Sequence, residues 1–90
     1  ALAVGEYLRQ LSSSKQVLCI THLASIAVRA DNHLKVEKLV DEERTITRVG
    51  VVQGTERVEE IARMLAGDRT GKTSRSHAEE LLEKYGGRTA

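Results

Sequence analysis

VLCITHLASIAVRADNHLKVEK, residues 17–38, is the stretch on which the fold turns. Val17, Leu18, Cys19 and Ile20 make a short continuous apolar run that contains β-branched side chains and is bounded by polar residues. A run of that length without alternation predicts a strand covered on both faces, as in a parallel sheet flanked by helices. Thr21 and His22 close it, and residues 23–30 can form a short helix. From Asn32 to Val40 the pattern changes, with Leu34 and Val36 alternating against His33, Lys35 and Glu37. A second β-prone segment follows at 44–52. Asp41-Glu42-Glu43 between them suits a hairpin, although it lacks the glycine that a tight primed turn prefers. A strand–helix–strand connection within one sheet should be right-handed.

Working outward, Ala1, Val4, Leu8 and Leu11 fall on one face of a helix that Gly5 weakens and Ser12-Ser13-Ser14 ends. On the other side, Gly54-Thr55 starts a helix with Glu56 in its first turn and Val58, Ile61, Ala62 and Leu65 on its apolar face. Gly67 is placed to cap it. Ser76 and Glu79 have the spacing of a capping box for a last helix lined by Ala78, Leu81, Leu82 and Tyr85 and ended by Gly86. The expected fold is α/β: about one buried parallel strand plus a β-hairpin, flanked by about four helices. A single domain 1–90 is expected, with the first helix, strand, short helix and hairpin in 1–53 and the C-terminal helices in 54–90. Its strands are too few to close a stable sheet alone. The chain opens without Met, directly inside a helical pattern, and its one methionine is Met64. A piece of a longer protein is therefore expected.

Ninety residues suffice for one compact domain. The composition is 40% hydrophobic and 30% charged, ordinary for a globular chain, but it has no Pro, Phe or Trp. With only Tyr7 and Tyr85 as rings, modules that stack single-stranded bases on aromatics are argued against. A net charge of +1 gives no strong field toward nucleic acid or membrane. Cys19 is the only cysteine and cannot form an intrachain disulfide, which suits a reducing compartment. No apolar run approaches the roughly 20 residues of a membrane span, so no membrane partner is expected.

Thr21-His22-Leu23 after an apolar run, then Ala30-Asp31-Asn32-His33 leading into a hairpin, resembles the H-loop region of ABC-type and SMC-like ATPases, the RecN family in particular. The later ERVEEIARMLAG (56–67) and HAEELL (77–82) resemble the C-terminus of the same family, so the likeness covers nearly the whole chain. Where members commonly carry Pro-Gln after Thr-His-Leu, this chain has Ala24-Ser25. The resemblance implies the C-terminal part of a P-loop NTPase head acting in DNA double-strand-break repair and recombination. It implies ATP and Mg²⁺ between two heads of a homodimer, DNA bound by the intact protein, the remainder of the same head packed against this lobe, and a cytoplasmic, nucleoid-associated location. It implies that His22, beside Thr21, contacts the γ-phosphate.

Chemistry agrees with that role. Ligands of open α/β sheets sit at the carboxyl ends of strands. An imidazole there can donate to a phosphate oxygen or orient a water, in a reaction that depends mainly on positioning and charge stabilisation. The plainer reading is a histidine that ends a strand and bonds a nearby carbonyl. The chain lacks a Walker A loop, Walker B acids and a signature motif, so the 90 residues alone are expected not to hydrolyse ATP.

Residues 66–73, AGDRTGKT, match a permissive Walker A string, but a helix is expected before them and Ala66 replaces the first glycine. An interhelical loop is the expectation. Arg63, Arg69, Lys72 and Arg75 could meet DNA phosphates, the basis of an alternative in which the chain is an autonomous DNA- or protein-binding module using its 63–75 face. Glu59, Glu60 and Asp68 nearby favour a solvated face. Cys19-x-x-His22 has no second ligand pair and no metal is expected. His33 is read as a strand residue and His77 as a first-turn helix residue.

Overall fold

The computed structural model describes residues 2–67 and 72–86. In chain order these form α1 (Leu2–Leu11), α2 (Ala24–Ala27), β1 (His33–Asp41), β2 (Arg44–Val52), α3 (Gly54–Ala66) and α4 (Lys72–Tyr85). The result is a small α/β unit with a two-stranded antiparallel sheet. The expected hairpin is formed, with His33 opposite Val52 and Asp41 opposite Arg44, so Asp41 belongs to the first strand and not to the connection.

The turn between the strands holds only Glu42 and Glu43, both at positive φ, 47° and 69°. A right-handed strand twist demands a primed turn, and non-glycine side chains pay for that geometry. Glu42→Asn combined with Glu43→Gly is therefore expected to stabilise the chain by about 1 kcal/mol. Urea denaturation would show it as a higher midpoint, and a lower one would contradict the assignment of strain.

The buried parallel strand expected at Val17–Ile20 is not formed. Residues 16–21 have no regular secondary structure, and Leu18 and Ile20 are 83% and 96% exposed. A strand exists only where a neighbouring backbone accepts and donates its hydrogen bonds. The strands among the described residues pair with each other, and neither offers its other edge to this run. The crossover rule accordingly has no pair of parallel strands to act on. The hairpin leaves a second apolar surface open. Leu34 faces Val51 and Val36 faces Val49 on one side of the ladder, and all four are exposed.

The core lies between α2, α3 and α4. Ala24, Ala27 and Val28 meet Ile61 and Ala62 of α3 and Ala78 of α4, with Val58, Leu65, Leu81, Leu82 and Tyr85 packed around them. The apolar faces of the two C-terminal helices are those the periodicity predicts. Two local expectations change. Since α4 already runs from Lys72, Ser76 and Glu79 lie inside the helix and do not cap it, and His77 falls beyond the first turn. On α1 the contact point is Gly5, which is buried, whereas Val4 is 52% exposed. A Cβ on Gly5 would sit 2.8 Å from Arg29 Cδ and 3.2 Å from the Ser25 carbonyl oxygen, so glycine permits the close approach of α1 to α2.

Candidate nucleotide-contact site

His22 is exposed in the irregular link that leads into α2. Its backbone is bracketed by a local turn in which Thr21 Oγ1 accepts the Leu23 N–H at 3.0 Å. Leu23 then caps α2, its carbonyl accepting the N–H groups of Ile26 and Ala27. The histidine is thus exposed immediately before a helix start.

A four-residue helix cannot hold itself in place. α2 is held from two sides. Its inner face enters the core, and its last turn is gripped by arginines. Arg57 Nη2 donates to the carbonyls of Ala30, Val28 and Ala27 at 2.8, 3.2 and 3.4 Å. Arg9 Nη1 donates to the Arg29 carbonyl. Four successive carbonyls at and just beyond the C-terminus of α2 therefore meet cations where the helix dipole favours them. Arg29 turns outward to Glu6, 2.5 Å away, and lies 4.4 Å from the Tyr85 ring centroid. Burial first, and then the nearby Arg9 charge, lower the Arg57 pKa against the opposing effect of Asp31. A guanidinium remains protonated regardless.

Beside this clamp lies a buried polar cluster. Glu60, 6% exposed, accepts Arg63 Nε and Nη2 at 2.6 and 2.8 Å and lies 3.8 Å from Lys35 Nζ. The Arg63 hydrogen bonds are the main cause lowering its pKa; burial opposes them, and the charges of Arg63, Lys35 and His33 assist. His33, 9% exposed, has its pKa lowered by burial and then by Arg57, with Glu60 opposing. Both groups bind protons less readily folded than unfolded. Each therefore contributes stability that is present above its unfolded pKa and is lost as pH falls toward and through the folded value. Loss from His33 should begin below 6.5 and loss from Glu60 below 4.5. Urea midpoints measured against pH should fall in these two stages, and His33→Gln should abolish only the first. A flat profile between about pH 7 and 5 in the parent chain would contradict this.

Asp31, His33, Gln53, Gly54 and Arg57 are among the residues lining a shallow cavity of about 180 Å³ at the start of α3; His22 is not on its wall. Of the basic positions, Arg63 is engaged by Glu60, and Arg75 by Glu59 at 2.6 Å. Lys72 opens α4, and Arg69 lies outside the described residues. Ala66 ends α3 and Lys72 belongs to α4, so the Walker-like string joins helix to helix and lacks the strand-to-helix setting of a phosphate cradle. Among the described residues no cluster of three or more His, Cys, Asp or Glu side chains is placed to hold a metal ion. No helix among them is long and apolar enough to cross a membrane.

Sequence reasoning missed Arg57 and the burial of Glu60. A signal was present for the first: Arg57 stands four residues before Ile61, on the apolar face of α3, where a charge needs a partner.

A family model described as the AlgK tetratricopeptide repeat domain matches residues 7–85. The chain is 52% identical over 82 residues to the DNA repair protein RecN of Deinococcus radiodurans, covering 91% of this chain and 14% of that protein. It is 55% identical over 82 residues to RecN of Treponema pallidum, again 91% of this chain and 14% of the relative. With RecN of Bacillus subtilis the identity is 43% over 84 residues, 93% of this chain and 15% of the relative. The chain thus spans only a small part of the length of the curated relatives it matches.

The two matches cover the same residues and imply different folds. Tetratricopeptide repeats are paired helices of about 34 residues, whereas residues 33–52 here form a β-hairpin. The hairpin decides between them. Fold and site define a small α/β unit that presents an exposed histidine ahead of a pinned helix. The chain belongs to the RecN-type DNA repair proteins and matches a C-terminal part of them.

Proposed function

We propose that this chain is the C-terminal lobe of an SMC-like P-loop ATPase head that serves DNA double-strand-break repair and recombination, and that it supplies His22 as a contact to the γ-phosphate of ATP. The observation that carries this reading is the exposed apolar run just before the histidine, with a second exposed apolar face on the hairpin. Leu18 and Ile20 stand in solvent, as do Leu34, Val36, Val49 and Val51, in a chain that matches 14% of its relatives' length. Exposed apolar side chains in such number call for a cover. In this reading the remainder of the head provides it, taking residues 17–20 as a strand and leaving Thr21 and His22 at the strand's carboxyl end, where α/β sheets bind ligands.

A second head in a homodimer, ATP between the heads and DNA bound by the whole complete the assembly. Mg²⁺, held by residues outside this chain, would neutralise charge on the phosphates. His22 donates to a γ-phosphate oxygen and does not act as a nucleophile. Of the basic face on which an autonomous binding module would depend, Arg63 and Arg75 are each paired with a carboxylate of α3. ATP turnover by the full-length protein carrying His22→Ala tests the proposal: a strong loss supports it, and turnover within about twofold of the parent contradicts it.

A further inference from the structure

His22 is exposed, so its place depends on the backbone that carries it. What stands behind it is α2, separated from it by Leu23 alone. The orientation of α2 is set at the opposite end, by guanidinium contacts to the carbonyls of residues 27–30. Arg57 makes three of those contacts from α3, a 13-residue helix anchored in the core through Ile61 and Ala62. Arg57 also lines the cavity at the β2–α3 junction, so one side chain joins the hairpin end, α3 and the short helix that follows the histidine.

We infer that Arg57 is the positioning residue for His22: it holds α2 through the Ala27, Val28 and Ala30 carbonyls and thereby sets where the imidazole meets the phosphate. The inference rests on the reading of His22 given above. A lysine at this position keeps the charge but has no planar fork to gather three carbonyls. Misplacing a reacting group by about 1 Å can cost about a hundredfold in rate.

The test is a double-mutant cycle in the full-length protein, joined to histidine side-chain NMR of its nucleotide-free form. Arg57→Lys is expected to lower kcat for ATP by about tenfold or more with KM little changed, and to have almost no further effect in a His22→Ala background. In the nucleotide-free protein the His22 ring resonance, assigned by its loss in His22→Ala, should shift or broaden in Arg57→Lys while that of His77 on α4 stays in place. If Arg57→Lys fails to fold, Arg9→Lys, which loosens the Arg29 carbonyl of the same turn, takes its place in the same cycle. Equal losses in both backgrounds, no loss in either, or an unmoved His22 resonance would overturn the role of Arg57. Full activity in His22→Ala would instead overturn the reading of His22 on which it rests.

Discussion

In the full-length protein, His22→Ala should lower kcat for ATP hydrolysis by about 10²–10³-fold, the usual cost of deleting one donor aimed at developing charge. Binding of ATP should change far less, because a contact that strengthens as the γ-phosphate transfers lowers kcat and kcat/KM together. Exposure makes the experiment clean. His22 is exposed in this chain and is not part of its hydrophobic core, so its removal should alter stability by less than about 0.5 kcal/mol. His22→Gln keeps an N–H donor and should retain part of the lost rate. ATP turnover assays with matched unfolding curves decide the matter. Near-parental turnover in His22→Ala would remove the histidine from the reaction.

The largest effect on stability is expected at Ile61. It is fully buried, and its neighbours in the cluster are mainly alanines, Ala24, Ala27, Ala62 and Ala78, together with Val28. Small side chains cannot reach into a vacated volume, so Ile61→Ala should leave a cavity and cost about 2–5 kcal/mol, and Ile61→Val about 0.5–1.5 kcal/mol. A domain of this length has on the order of 5–13 kcal/mol in total, so the alanine variant would sit near the edge of folding. Urea denaturation should show lower midpoints at an unchanged slope. A loss under about 1 kcal/mol for Ile61→Ala would mean that the three helices do not pack around this residue. Because Ile61 supports the inner face of α2, the same substitution should loosen the platform behind His22.

Helices α3 and α4, their apolar faces and the hairpin were legible because each follows from a local period: 3.6 residues for the helices and alternation for the strands. The primed turn at Glu42-Glu43 formed despite its unfavourable residues, because pairing along both strands outweighs the local preference. The apolar face marked out on α1 was misleading. Spacing reports which side of a helix is apolar, and here the approach to α2 is governed by the absence of a side chain at Gly5. Capping residues at 76 and 79 were equally ambiguous, since a Ser-x-x-Glu string costs little inside a helix that starts earlier.

The site divided in the same way. His22 and Thr21 could be singled out from a short contiguous pattern, and in the structure His22 is exposed beside the turn in which Thr21 accepts the Leu23 N–H. By itself the amino-acid order determined the helices, the hairpin and the position of that histidine next to an apolar run, all properties of neighbours in sequence. Only the tertiary structure decided that the run at 17–20 stays unpaired and that Arg57, 35 residues beyond His22, clamps the helix behind it. A strand requires another backbone and a buried guanidinium requires acceptors, and in both cases the partner is far away along the chain.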